Sequence, residues 1–384
     1  MVNPFTLPGV CYFGNGALEN LSSELKRFNP KKVFLVSDHG VSSAGLVEPV
    51  REQIRKANSE VVEFFETEAE PSVENVNLCL EKFKENDCDF IVGLGGGSPL
   101  DVAKAVSVLA MNEGSILDYA GIEMIAKSGV PKALIPTTSG TGSEVTKNAI
   151  ITDKKAQLKK GVVSRYLLPE IAIVDSQLTL TLPPAITAAT GMDALTHAIE
   201  SYTAPKASPQ TDIYALKAIE LISANLRRAV TYGKDLGSRE NMAMGSVFAG
   251  ISLANAGVGA VHAIAYPLGG KFGMAHGVTN ALLLPYVMKC NLISDLHKFA
   301  DIAKAMGEVT EGKSLRDQAE LSCKAVSELS QDIGIPQKLS RFGVQESDIP
   351  ALADASMNVT RLMGNNPKVL CLEEVKEILS VALE

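Results

Sequence analysis

The chain has 384 residues, 44 acidic against 36 basic side chains, a formal net charge of −8 and no tryptophan. That length suggests two domains or one large α/β unit, and an acidic balance with no basic stripe argues against a nucleic-acid partner. No apolar run is long enough to span a bilayer, and the opening MVNPFTLPGVCYFGNGALEN has neither a positively charged start nor a continuous apolar core, so a soluble, cytoplasmic protein with no membrane contact is expected. Cys11, Cys79, Cys88, Cys290, Cys323 and Cys371 are widely scattered and form no C-x-x-C pair, which fits reduced, small hydrophobes rather than a disulfide frame.

In chain order, KKVFLVSD (31–38) predicts a strand, GLVEPVREQIRKAN a helix with Pro49 early in it, VVEFF (61–65) a second strand and VENVNLCLEKFKEN an amphipathic helix. DFIVGLGGGS runs from a strand into a glycine loop, PLDVAKAVSVLAM predicts a buried helix, and KALIPTT and EIAIVD predict two further strands. Such alternation predicts a mostly parallel, Rossmann-like sheet covered by helices, with the loops that follow the strands gathered along one edge. The pattern changes near Leu182-Pro183-Pro184. Beyond it, TDIYALKAIELISANLRRAV, NMAMGSVFAGISLANAG, SLRDQAELSCKAVSELSQDIG and CLEEVKEILSVALE all carry helical apolar spacing. An α/β domain over 1–182 and an all-helical domain over 183–384 are expected, packed closely with a cleft between them.

Gly95-Gly96-Gly97-Ser98-Pro99 follows a strand and opens a helix. Glycines let backbone N–H groups approach a phosphate, and the unpaired N–H groups of a helix start attract a pyrophosphate. Ser98 is expected as the N-cap, Pro99 in the first helical position and Asp101 at the capping-box position. The motif is neither G-x-G-x-x-G nor a P-loop, and a plain strand–helix turn explains the glycines as well. Asp101 is either a cap or a contact to a nicotinamide amide or ribose. Asp38, at the end of the first strand, either accepts hydrogen bonds from an adenosine ribose, repelling a 2′-phosphate, or forms a turn. PTTSGTGSEVT (136–146) offers Thr137, Thr138, Ser139 and Thr141 to a cofactor, while Ser143 and Thr146 fit helix-start or turn chemistry equally well.

Histidine is scarce, with five in the chain, and three of them lie in segments rich in Gly and Ala. Asp193 and His197 in GMDALTHAIESY are four residues apart, so a helix projects both from one face. His262 lies in VHAIAYPLGG and His276 in KFGMAHGVTN. Taken singly, each has a structural reading: a hydrogen-bonded core histidine, or an aspartate near a helix start. Together, one carboxylate and up to three imidazoles suit a divalent iron, zinc or similar ion, which can polarise an oxygen and stabilise an alkoxide.

GGGSPLDVAKAV, PTTSGTGSEVTKNAIIT, LPPAITAATGMDALTHAIESY and HAIAYPLGGKFGMAHGVTNALLLPYV, in that order, resemble the motifs of the iron-containing (group III) alcohol dehydrogenases, and the likeness covers essentially the whole chain. The resemblance implies an N-terminal dinucleotide-binding α/β domain, a C-terminal helical domain of dehydroquinate synthase-like architecture, and a metal between them. It makes Asp193, His197, His262 and His276 the ligands of Fe²⁺ or Zn²⁺. It places Asp38, Gly95, Gly96, Gly97, Ser98, Asp101, Thr137, Thr138, Thr141, Thr146 and Lys160 around NAD, with NADP disfavoured. Lys160 lies in KKAQLKKG, where a solvated charged hairpin is the alternative. Leu178 and Leu182 pack near the adenine or nicotinamide, or belong to the core. Asn148 and Leu253 fall near substrate-lining positions, and Lys271 leaves room for an anionic substituent.

The sequence departs from many relatives at Tyr266, which stands where they carry a further histidine four residues after the third ligand. A proton relay through that histidine is therefore in doubt, and Tyr266 either substitutes for it or shapes the pocket. The implied activity is reversible hydride transfer between NAD and a short-chain primary alcohol or diol and its aldehyde. The protein is expected to be a homodimer or larger homo-oligomer. The alternatives are a glycerol-dehydrogenase-like polyol oxidoreductase, a dehydroquinate-synthase-like lyase and a non-catalytic metal-binding scaffold.

Overall fold

The computed structural model describes residues 4–156 and 158–384. By internal contacts the chain divides into two units, one ending at Thr181 and one spanning Leu182–Glu384.

The first unit is built on a parallel sheet of β1 (Val10–Phe13), β2 (Lys32–Val36), β3 (Glu60–Phe64), β4 (Phe90–Gly95), β6 (Lys132–Pro136) and β9 (Ile171–Val174), in the order β1-β9-β6-β4-β2-β3. The central strands β4, β6 and β9 are buried at every residue. A strand covered on both faces must be apolar throughout, which is why FIVGLG, KALIP and IAIV read as near-continuous runs. The exception, Lys132, has its ammonium against the Tyr166 carbonyl at 3.0 Å. Helices α1 (Leu21–Phe28), α2 (His39–Ser43), α3 (Val47–Lys56), α4 (Val73–Glu85) and α5 (Gly97–Leu109) connect the strands. Two apolar clusters form the core, one around Phe34, Phe64, Val106 and Leu134, the other around Leu35, Ile54, Val92 and Ile173. A smaller sheet, β5 (Gly121–Ile122), β7 (Asn148–Asp153) and β8 (Leu158–Val163), contains one antiparallel pair, β7 with β8.

The second unit, among its described residues, contains no strand. It comprises α6 (Pro184–Thr203), α7 (Pro209–Thr231), α8 (Leu236–Ala256), α9 (Ala260–Phe272), α10 (His276–Asn291), α11 (Leu296–Ala305), α12 (Leu315–Asp332), α13 (Ile349–Met357), α14 (Thr360–Met363) and α15 (Leu372–Leu383). The main apolar core runs from Met192 and Leu195 through Leu226, Ile264 and Leu283 to Leu379, with a smaller cluster around Leu253 and Leu362. The chain turns by 101° between α8 and α9, at Gly257-Val258-Gly259. Among the described residues no single helix is long and apolar enough to cross a membrane.

Candidate functional site

Three helices of the second unit converge on Asp193. The side chains of Asp193, His197 and Glu200 recur along α6 at spacings of four and three, so they share one face. His262 lies in the first turn of α9 and His276 is the first residue of α10. The Oδ1 atom of Asp193 is 3.9 Å from His197 Nε2, 3.9 Å from His262 Nε2 and 3.8 Å from His276 Nε2. Ligand atoms of Asp193, His262 and His276 all lie within 4.8 Å of one another. The His197 ring stacks on that of His262, with centroids 4.9 Å apart.

Helix α10 reaches this position because Gly277 has no side chain: a Cβ there would stand 2.4 Å from the Ala189 carbonyl oxygen on α6. Asp193, His197 and His262 are buried, while His276 is half-buried. Desolvation alone would raise the Asp193 carboxyl, but His197, His276 and His262, together with a hydrogen bond from Asn280, bring it down to about 2. A buried carboxylate ringed by imidazoles is a donor set that a divalent cation completes.

Two residues of this site escape a reading of the sequence. Glu200 accepts from His262 Nδ1 at 2.6 Å through one oxygen and from the Val261 N–H at 2.7 Å through the other. Burial opposes protonation of His262, but Glu200 and then Asp193 outweigh it and shift its pKa upward. With Nδ1–H committed to Glu200, Nε2 is the nitrogen left for a ligand. Asn280, one turn after His276, brings Nδ2 to 2.7 Å from Asp193 Oδ1, 3.1 Å from His262 Nε2 and 3.2 Å from His276 Nε2. The only available signals were spacings, Glu200 three after His197 and Asn280 four after His276.

The start of α9 is clamped from far along the chain. Asn365 Nδ2 donates to the carbonyls of Ala256 and Val258, at 3.0 and 3.1 Å. Asn366 Oδ1 accepts from the Ala260 N–H at 3.4 Å and from Asn291 Nδ2 at 2.8 Å. Tyr266 packs with Leu253, Val258, Ala263 and Leu362, its ring 6.1 Å from that of His276. Lys271 donates to Asp348 at 2.6 Å and is therefore engaged within the protein.

In the first unit the glycine loop and the hydroxyl loop lie against each other. Gly95 ends β4, Gly96 is the cap of α5 without a side-chain bond, and Gly97 begins the helix. The helix thus starts earlier than the serine predicts. Glycine backbone takes the cap, and the Ser98 hydroxyl turns instead to the Ala69 carbonyl. With no side chain on the cap, the first N–H groups remain available to an anion. A Cβ on Gly97 would stand 2.8 Å from Thr141 Cγ2, so glycine lets the threonine side chain come this near. Thr137 is buried and its N–H donates to Gly95 O at 2.9 Å, while the Thr138 side chain borders Gly96. The Ser139 hydroxyl is buried with no hydrogen-bond partner among the described residues.

A buried network ties these loops together. Lys104, fully buried on α5, donates to Ser143 Oγ at 2.7 Å, Thr146 Oγ1 at 3.2 Å and the Asn148 carbonyl at 2.8 Å. Asp101 accepts from Ser143 Oγ at 2.6 Å and from the Ile150 N–H at 2.9 Å. Both its oxygens are thus engaged within the protein. Desolvation pulls the Lys104 ammonium down to about 8, against the opposing Asp101 charge. Asp38 caps α2 by accepting from the Val41 N–H at 2.9 Å. Lys159 pairs with Glu70 at 2.7 Å, which leaves Lys160, its neighbour on β8, on the opposite face of the strand. Leu178 belongs to the core of the first unit. Leu182 falls in the second unit, its carbonyl accepting from Arg239.

Comparison with known proteins places this architecture. Residues 8–176 match the family model described as iron-containing alcohol dehydrogenase, and residues 187–383 match its C-terminal counterpart. The chain is 43% identical to the 1,3-propanediol dehydrogenase of Citrobacter freundii, covering 98% of each. It is 38% identical to the NAD-dependent methanol dehydrogenase of Bacillus methanolicus, covering 99% of each. A crystal structure of a 1,3-propanediol oxidoreductase superposes over the whole of both chains with a TM-score of 0.97 at 41% identity. The chain belongs to the iron-containing alcohol dehydrogenase family and is an alcohol–aldehyde oxidoreductase of that type.

Proposed function

We propose that the protein transfers a hydride reversibly between NAD(H) and a short-chain primary alcohol or diol, or the matching aldehyde, using Fe²⁺ or Zn²⁺ held by Asp193, His197, His262 and His276. The observation that carries this reading is the convergence of the Asp193, His262 and His276 ligand atoms within 4.8 Å at a buried carboxylate. When bound there, the ion supplies Lewis acidity that polarises a substrate oxygen.

The chain's own residues do the rest. Glu200 fixes the orientation of His262 through Nδ1. Tyr266 packs on Leu253 with its ring 6.1 Å from that of His276, and these apolar surroundings suit a short substrate. Tyr266 brings a hydroxyl to that neighbourhood where many relatives carry histidine, and the substrate proton leaves through water or a cofactor ribose hydroxyl. In 1–182, the NAD-binding part, the uncapped start of α5 takes the pyrophosphate. Gly95, Gly96, Gly97, Ser98, Thr137, Thr138, Thr141 and Thr146 line the cofactor, with Asp101 and Lys160 in support. The Asp38 charge favours NAD over NADP. Leu178 and Leu182 contribute apolar surface. The names of the relatives, a propanediol dehydrogenase and an NAD-dependent methanol dehydrogenase, support a small alcohol and NAD. The enzyme works in the cytoplasm as a homo-oligomer.

The test is a panel of short aldehydes and hydroxyaldehydes assayed with NADH and with NADPH, on protein reconstituted separately with Fe²⁺ and Zn²⁺. Reduction by NADH that is lost on chelation and restored by one of the ions is expected. Full activity in the chelated protein, or in Asp193→Ala, would sink the reading.

A further inference from the structure

Asn280 is fully buried. Its Nδ2 is within 3.2 Å of Asp193 Oδ1, His262 Nε2 and His276 Nε2, the same three groups that converge to receive an ion. Its Oδ1 is also buried and has no hydrogen-bond partner among the described residues. The NH₂ end, with two hydrogens, therefore faces three polar atoms, while the carbonyl end meets no donor among the described residues.

Chemistry dictates this orientation. An amide NH₂ is a donor and its carbonyl an acceptor. Exchanging the two ends would set the carbonyl oxygen 2.7 Å from the Asp193 carboxylate, with no proton between two acceptors. A cation reverses the preference, since it attracts oxygen and repels the partial positive charge of the NH₂ hydrogens. The two cannot share the place. Asp193 Oδ1 is 3.9 and 3.8 Å from the two imidazole nitrogens. An ion held by all three would sit in the space between them. An amide nitrogen within 3.2 Å of all three stands over that same space.

We infer that Asn280 is an internal competitor of the metal: its NH₂ group holds Asp193, His262 and His276 together in the metal-free chain and turns away when a divalent ion enters. The inference rests on the metal centre argued under Proposed function. It gives the apoprotein a preassembled ligand set, at the expense of affinity for the ion.

The experiment compares wild type and Asn280→Ala, each stripped by chelation and titrated with Co²⁺ alone, read by the cobalt absorption spectrum, chelator competition and thermal melting. Loss of packing lowers Tm in both forms equally, so the quantity of interest is the difference. The metal-free variant should melt lower by more than the loaded variant does, and its Co²⁺ affinity should tighten about fivefold or more. An equal fall in both forms, or an affinity that is unchanged or weaker, overturns the inference while leaving the metal centre intact. Failure of wild type to bind Co²⁺ removes the metal centre itself, and the inference with it. If Asn280→Ala does not fold, wild-type protein labelled with ¹⁵N at asparagine decides. The Asn280 side-chain amide resonances must move on adding Zn²⁺, and unmoved resonances in a Zn²⁺-loaded protein overturn the inference.

Discussion

Glu200 Oε2 and His262 Nδ1 lie 2.6 Å apart, both groups buried, and the second Glu200 oxygen holds the N–H of the residue before that histidine. One carboxylate thus sets both the tautomer of the imidazole and the backbone that carries it. Glu200→Gln keeps one acceptor for two donors, so its NH₂ faces either Nδ1–H or the Val261 N–H. In the first case the imidazole shifts its proton to Nε2, the nitrogen that faces Asp193; in the second the first turn of α9 loses its anchor. Metal affinity measured by chelator competition should fall ~10–100-fold. An unchanged affinity would show that His262 needs no such partner.

Glu144 makes the first unit sensitive to pH. Burial raises its carboxyl to about 7, against the opposing pull of its own backbone N–H and Lys104. The folded pKa lies above the unfolded one, so this contribution to stability is complete below pH 4.5 and disappears as pH rises through 7. On the scale of ~1.4 kcal/mol per pH unit, the loss is about 3 kcal/mol. Glu144→Gln should flatten that part of the profile. Urea unfolding at a series of pH values checks it, and parallel profiles for the two proteins would refute it.

Gly97→Ala places a methyl 2.8 Å from Thr141 Cγ2. Overpacking of this kind costs ~1–3 kcal/mol, and NADH affinity should fall with it because both loops must shift. Thr141→Ser removes the offending methyl, so the double variant should recover stability and NADH binding together. Additive losses in melting and fluorescence titrations would mean that the two loops are not coupled here.

Asp38→Asn separates the two duties of this residue. Asparagine caps a helix about as well as aspartate, so stability should stay within ~0.5 kcal/mol. The negative charge is removed, and the ratio of kcat/KM for NADH over NADPH should fall about tenfold or more, the loss of one like-charge repulsion being worth ~1.4 kcal/mol. A constant ratio would place the ribose elsewhere.

The sequence makes some of this plain and hides the rest for physical reasons. Continuous apolar runs such as FIVGLG and IAIV announce buried parallel strands because both faces are covered. The short edge strand Val10–Phe13 is also apolar, but it is no longer than four residues and only partly buried, and it is not singled out in the sequence. Asp193 and His197 are legible because one helix supplies both, and the scarcity of histidine draws attention to His262 and His276. Glu200 and Asn280 are not legible. Glutamate and asparagine are common on helices, and these two acquire partners only when α9 and α10 pack on α6. Lys104 is hidden by the same logic: DVAKAV looks like an ordinary helix turn, and only the folded loop shows that its ammonium is buried among three acceptors. Ser98 misleads because a good capping residue follows three glycines that can do the work with backbone alone.

The clamp on the first turn of α9 comes from Asn365 and Asn366, more than a hundred residues downstream. During synthesis, His262 leaves the ribosome long before the segment that secures its loop. A metal centre of the kind proposed would therefore reach its final geometry only after the C-terminal segment has been made.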